Sequence, residues 1–135
     1  MASTDNEPAI PFFDFVGVEN GRVEGEVGIA EMPWRPETAN SSGRMHGGAE
    51  ISAVNAAMVK LVRELTGGVP AALVQLAVSF VASGTEDVTA TAELVRSGRS
   101  LIFVSGRVVQ SESGRVIATA SAVFQRRPSN AKAQA

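Results

Sequence analysis

One stretch of the chain has the residue types of a reaction centre. Asn40 is followed, after five intervening residues, by His46-Gly47-Gly48, and a long apolar run carrying Asn55 comes next. A His-Gly-Gly step at the start of a helix leaves backbone N–H groups without intrahelical partners at the end where the helix dipole is positive. Donors so placed suit the oxyanion that develops when a carbonyl carbon is attacked, so the segment favours acyl chemistry. Gly47 is the stronger candidate donor, because a residue without a Cβ lets a ligand approach the backbone closely. His46, the single histidine, could orient the acyl carbonyl or hold the loop through a backbone bond, a supporting rather than an acid–base part. Asn40 offers an amide that donates and accepts at once, and reads equally well as a turn residue in Ala39-Asn-Ser-Ser-Gly43.

The elements around this stretch follow from pattern. Residues 48–66 are apolar on most faces, which predicts one long buried helix; Lys60, Arg63 and Glu64 mark its more exposed end, and Gly67-Gly68 stops it. Residues 16–19, the pair Asn20-Gly21 and residues 22–30 read as a β-hairpin, since Asn-Gly suits a tight primed turn. Met32-Pro-Trp-Arg-Pro36 cannot continue a strand interior and predicts a crossing loop, in which Trp34 serves a pocket, a lid or an interface. Phe12, Phe13 and Phe15 are expected to pack over the core beside the first strand. Four further strands, at 72–81, 88–95, 101–109 and 115–124, are separated by Gly-containing turns short enough to make neighbours antiparallel. Two strands, a helix and four strands give an α+β domain, an antiparallel sheet wrapped round one helix.

Composition narrows the function classes. A chain of 135 residues, 44% hydrophobic and 19% charged, suits a single globular domain over residues 12–126, with fraying ends at 1–11 and 127–135. There are no cysteines, which excludes disulfides, thiolate metal sites and cysteine nucleophiles, and a lone histidine argues against zinc. A net charge of −2 with dispersed arginines gives no field for nucleic acid. No apolar run reaches membrane-spanning length and the N-terminus lacks signal-peptide character, so a cytoplasmic location without membrane contact is expected.

Asn-x5-His-Gly-Gly, the helix, and then Val74-Gln-Leu-Ala-Val-Ser-Phe80, Arg96-Ser-Gly-Arg99-Ser-Leu101 and the strand ending at Phe124 occur in fixed order. Over residues 12–124 this set resembles the hotdog-fold acyl-CoA thioesterases, in particular the phenylacetyl-CoA thioesterase-like branch. The resemblance implies that the Gly47 N–H polarises the thioester carbonyl, that Asn40 lies near the thioester or the attacking water, and that an acid nine residues after the histidine is base or nucleophile. Here that position is Asn55, and an amide neither accepts a proton from water near neutral pH nor attacks as an anion. Val59 and Leu73 likewise stand where some relatives carry a hydroxyl. Glu50 is a poor replacement: five helical residues rotate it roughly 140° net from residue 55, and a first-turn carboxylate is explained by the helix dipole.

The resemblance further implies that Phe80, Val81 and Ala82, with Arg96, Gly98, Arg99 and Ser100, contact the pantetheine and nucleotide parts of coenzyme A. A guanidinium suits its phosphates, although on the residues alone these arginines read as solvated hairpin side chains. Relatives build each site from two subunits, so a homodimer or homotetramer is expected, acting on an aromatic or medium-chain acyl-CoA. No cofactor is expected beyond the coenzyme A that is part of the substrate. The alternative is a weakly catalytic or non-catalytic acyl-CoA-binding or regulatory protein that kept the fold and lost its acid.

Overall fold

The computed structural model describes residues 9–127. The fraying expected at the ends falls mostly on residues 1–8 and 128–135, which lie outside that range. A short helix, α1 (Pro11–Val16), precedes strands β1 (Glu19–Glu24) and β2 (Val27–Met32). The long helix α2 (Gly47–Leu65) follows a loop that includes a short 3-10 turn, Pro36–Thr38. Strands β3 (Ala71–Phe80), β4 (Val88–Ser97), β5 (Leu101–Gln110) and β6 (Val116–Arg126) complete one antiparallel sheet in the order β1-β2-β4-β5-β6-β3. The α+β arrangement of a sheet curled round one helix is therefore as the sequence pattern implies.

The core is the sheet-facing side of α2. Ala53, Val54, Ala57, Met58 and Leu61 are buried against Ala30, Ala90, Ala92, Val104, Val108 and Phe124. Small residues let the helix settle close to the strands. A Cβ at Gly28 would collide with the Ala57 carbonyl oxygen, and one at Gly106 would lie 2.7 Å from Val54 Cγ2. Dispersion contacts of this density are what a small single core has to hold it together.

Three expectations are corrected. The β1–β2 turn is at residues 25–26, with Gly25 at φ 62°, and Asn20-Gly21 instead forms a bulge inside β1, where the pairing shifts between Glu19 and Arg22. The sequence signal was a positive φ, which Asn20 does adopt at 55°; a bulge and a primed turn ask for the same residues. Glu31 holds that bulge through Asn20 Nδ2 at 3.2 Å and Arg22 Nη1 at 2.8 Å. Second, β3 does not neighbour β4 but pairs with β6, from Ala71↔Arg126 to Phe80↔Ala118. The connection at 81–87 is long enough to cross the three inter-strand gaps of about 14 Å, and it follows β6, with the Val81 and Ala82 N–H groups on the Ile117 carbonyl. Third, only Phe13 packs against the core; Phe12 and Phe15 are 58% and 80% exposed, because a six-residue helix turns two of its three rings outward.

β3 is an edge strand with no charged residue along it. Leu73 and Val74 are exposed there, as are Phe80 and the following Val81. An uncharged apolar edge of ten residues is a template for another strand.

Candidate active site

The segment before α2 is a tight loop built on Asn40. Its Oδ1 accepts from the Ser42 and Arg44 N–H groups at 2.9 and 3.1 Å, its own N–H reaches the Arg44 carbonyl at 2.7 Å, and Gly43 takes φ 76°. The side-chain oxygen thus does turn work, as the local composition allowed, and the exposed Nδ2 is the part of the amide left over for any other task. The loop is anchored by Met45 N–H on the Gly84 carbonyl at 2.8 Å and His46 N–H on the Thr38 carbonyl at 2.9 Å.

His46 is the N-cap of α2. Its Nδ1 accepts from Gly48 N–H at 2.8 Å, and its carbonyl receives the Ala49 and Glu50 N–H groups at 2.9 and 3.2 Å. The four N–H groups that a helix start leaves open are here those of His46, Gly47, Gly48 and Ala49, and three are satisfied, that of His46 by the Thr38 carbonyl. The fourth, on Gly47, has no acceptor among the described residues. The imidazole is therefore a backbone brace, and it singles out one donor. Gly47 is half-buried, and a Cβ there would lie 3.0 Å from Phe80 Cζ, so the exposed Phe80 ring flanks the open N–H.

Asn55 lies two turns further on, on the half-exposed stripe of α2 shared with Ile51 and Val59, and its Oδ1 is buried without a partner. Eight residues at 1.5 Å each separate Gly47 from Asn55 by about 12 Å along the axis. One thioester cannot touch both within one chain. Glu50 points elsewhere: it is 3% exposed, its Oε2 is 3.7 Å from where a Gly84 Cβ would stand, and Met45 and Ile117 line the same spot. Its Oε1 has no hydrogen-bond partner, and burial pushes the carboxyl up to about 7. A carboxyl on the sheet side of α2 does not fill the place of the missing acid on its outer side.

Arg96 lies near the end of β4, paired with Phe103, and the turn to β5 carries Gly98, Arg99 and Ser100. Arg126 of β6 holds it, donating from Nε to the Gly98 carbonyl at 3.0 Å and from Nη2 to Ser97 Oγ at 2.5 Å, while its N–H reaches the Ser100 carbonyl at 2.8 Å. Arg99, Ser100, Arg126 and Arg127 border one cleft of about 360 Å³ together with Ala72 and Gln125. This cleft is at the opposite end of the sheet from Phe80. Along β6 the pairing runs from Ala118, opposite Phe80, to Arg126, eight residues or about 27 Å.

Comparison with known proteins decides the family. Residues 35–125 match the family described as acyl-CoA thioesterase N-terminal domain. The chain belongs to that family. Solved structures agree on the hotdog fold. A thioesterase enzyme from Staphylococcus aureus superposes with a TM-score of 0.80 at 18% identity, over 88% of this chain and 100% of that one. A mutant phenylacetic acid degradation protein from Thermus thermophilus gives 0.79 at 18% identity, over 87% and 100%, and zebrafish thioesterase superfamily member 2 gives 0.76 at 21% identity, over 90% and 89%. No curated protein sequence matches the chain.

For this acyl-CoA thioesterase family member, the sequence-derived candidates fall into three places rather than one. His46, Gly47, Phe80 and the adjoining Val81 and Ala82 gather at the start of α2; Asn55 stands on the helix's outer stripe; Arg96, at the end of β4, and Gly98, Arg99 and Ser100, in the turn after it, lie at the far end of the sheet. Arg126 and Arg127 were missed, because they read as a strand end and a tail. The available signal was the density of arginines in Gln125-Arg-Arg-Pro128, which gains meaning only once β6 is paired beside the turn. No described helix is long and apolar enough to cross a membrane.

Proposed function

We propose that this chain is an acyl-CoA thioesterase that hydrolyses aromatic or medium-chain acyl-CoA at a site assembled from two copies, in the cytoplasm. The observation that carries this reading is the solitary open N–H on Gly47. The thioester carbonyl oxygen accepts from it, negative charge developing there is met by the positive end of the α2 dipole, and His46 keeps the competing Gly48 N–H occupied. Phe80, with no Cβ on Gly47 to hold it off, forms a wall against which the thioester lies.

Two copies supply the rest. If the bare β3 edges pair antiparallel across a two-fold axis, the Phe80 end of one copy meets the Ala71 end of the other. That places the turn bearing Arg99 and Ser100, and its brace Arg126, next to the Gly47 of the neighbouring copy, so that arginines receive the phosphates of coenzyme A while the thioester reaches the oxyanion donor. The 12 Å gap between Gly47 and Asn55 is closed in the same way, by the Asn55 of the other copy. A buried amide oxygen without a partner is what an Asn55 awaiting water or substrate would show. As an amide, Asn55 orients water but does not deprotonate it.

Free-thiol release from phenylacetyl-, benzoyl-, hexanoyl- and decanoyl-CoA tests the reading. Gly47→Val, which blocks approach to the N–H, is expected to lower the rate roughly a hundredfold or more. Unchanged turnover in a folded Gly47→Val protein removes that donor from the mechanism. A second reading, acyl-CoA binding with little turnover, is favoured by one observation: Asn55 stands where the resemblance asks for an acid, and the buried Glu50 faces away from it. Asn55→Asp separates the two. Under the catalytic reading a carboxylate there should raise hydrolysis by about 10² to 10⁴ with binding little changed. Equal rates in the two proteins, with acyl-CoA bound, favour the binding protein.

A further inference from the structure

Glu50 has no part in the reaction outlined above, yet it is the one acid buried among the described residues. It lies in the first turn of α2, and its N–H joins that of Ala49 on the His46 carbonyl. The side chain enters a spot lined by Met45, Gly84 and Ile117, with Oε1 unpartnered. A Cβ on Gly84 would stand 3.1 Å from both Met45 Cβ and Ile117 Cδ1, so the spot is closed over by apolar groups. The charged groups on the surrounding elements are engaged elsewhere. Arg44 turns to Ser83 Oγ, His46 gives Nδ1 to the Gly48 N–H, Glu86 accepts from the Glu112 and Ser113 N–H groups, Asp87 accepts from the Trp34 N–H, and Arg115, ahead of β6, is exposed. Desolvation alone acts on the carboxyl, and it outweighs the helix dipole that would favour a charge there.

We propose that Glu50 is an electrostatic switch on the Gly47 donor: held neutral, it leaves the positive end of α2 to an anion on that N–H, and once ionised it opposes the same anion. The inference rests on the thioesterase reading above and adds a regulation to that site. Three residues of helix and the reach of the two groups separate an oxyanion on the Gly47 N–H from the Glu50 carboxyl by roughly 8 to 10 Å. At an effective dielectric of about 20, repulsion between two negative charges at that distance slows the reaction about twentyfold. Burial pushes the carboxyl up to about 7. The donor is therefore at full strength below that pH and weakens as the proton leaves above it. Coupling of this kind is reciprocal, so an anion bound at Gly47 makes Glu50 hold its proton more tightly.

Two measurements on the unaltered protein and Glu50→Gln, each from pH 5.5 to 8.5, test this. The first is kcat for phenylacetyl-CoA. The ratio of the Glu50→Gln rate to the unaltered rate should rise about tenfold across the range, with its midpoint near the Glu50 transition; contributions from His46 and from the attacking water are common to both proteins and cancel. A flat ratio overturns the switch and leaves the thioesterase reading standing. The second needs no turnover: phenylacetate, ionised throughout the range, is titrated against the Gly47 amide resonance. Its affinity for the unaltered protein should fall about tenfold as the pH rises, and its affinity for Glu50→Gln should hold steady. Affinities that fall alike in both proteins overturn the switch. If phenylacetate behaves as expected and no acyl-CoA is cleaved, the thioesterase reading falls and the switch remains. If phenylacetate leaves the Gly47 resonance unmoved and no acyl-CoA is cleaved, both fall together. Should Glu50→Gln fail to fold, a carbon-13 titration of the Glu50 carboxyl in the unaltered protein decides: saturating phenylacetate should move its midpoint to higher pH, and an unmoved midpoint overturns the proposal.

Discussion

Glu50 gives this protein an unusual dependence of stability on pH. Its carboxyl is 3% exposed, lies among Met45, Ile117 and Gly84, and has an oxygen with no hydrogen-bond donor. Desolvation raises it from the ordinary 4.5 to about 7. The folded state therefore holds this proton more tightly than the unfolded chain does. Between those two values the unfolded chain has released the proton and the native state has not, so native stability falls as pH rises through the window. A salt-bridged carboxylate does the reverse, gaining stability as pH rises, and does so below its ordinary value rather than above it. At about 1.4 kcal/mol per tenfold, a gap from 4.5 to about 7 amounts to roughly 3 kcal/mol lost by the time the pH passes 7, and constant above that. Replacing the carboxyl by an amide of the same shape removes the charged form and with it the dependence.

Urea unfolding of the unaltered protein and of Glu50→Gln, at fixed protein concentration and at pH 4.5, 6, 7 and 8.5, measures this directly. The two should be equally stable at pH 4.5, where the native carboxyl is neutral and the amide meets the same unsatisfied surroundings. At pH 8.5 Glu50→Gln should be more stable by about 3 kcal/mol, a large part of the 5 to 15 kcal/mol typical of a whole domain. Parallel pH profiles for the two proteins, or a Gln variant that is weaker at pH 8.5, would refute the argument that burial controls this group.

The proposed assembly gives two further tests. Val74 lies in the β3 bulge between Leu73 and Gln75 and is 53% exposed, so Val74→Lys places a charge on the bare edge and should convert a dimer to monomer at micromolar concentration; unchanged sedimentation would show that the copies meet on another face. Arg126→Ala removes the hold on the Gly98 carbonyl and Ser97 Oγ, and should raise KM for acyl-CoA roughly tenfold with kcat nearly unchanged, the mark of uniform binding lost; a fall in kcat alone would place Arg126 outside the coenzyme A contact.

How far the sequence could be read depends on the range of the interaction concerned. The long helix was legible to within a residue at each end, because its signals, His46 before two glycines and Gly67-Gly68 after Thr66, are local chemistry of helix ends. The strands after it were legible for the same reason, through alternation and glycine turns. The neighbour of β3 was not: whether a strand pairs with the next in sequence or the last one is decided by how the sheet closes on α2, a property of the packed chain. Asn20-Gly21 announced a positive φ without saying whether a bulge or a turn would use it. At the site, Gly47 was legible as a residue, but that it is the one open donor depends on His46 spending Nδ1 on Gly48 and its carbonyl on two others. Glu50 shows the gap most plainly. Its helical angle relative to residue 55 followed from sequence, whereas its burial beside Gly84 required the 81–87 connection to fold back under the start of α2.

Two distances that look like failures of the site within one chain share one remedy. Gly47 and Asn55 are about 12 Å apart along α2, and the start of α2 is about 27 Å along β6 from the arginine-bearing turn. Neither gap can be closed by moving a side chain. In the proposed dimer a single two-fold axis at the β3 edge would close the second, because antiparallel edges exchange their ends, and the same axis would turn the second helix to run opposite the first and close the other. The edge is uncharged over ten residues, where a monomer of this fold would ordinarily carry a charge, a proline or a covering loop to protect it. Under that proposal chemistry and solubility ask for the same contact: the bare edge that is a template for another strand is the one that would complete the site.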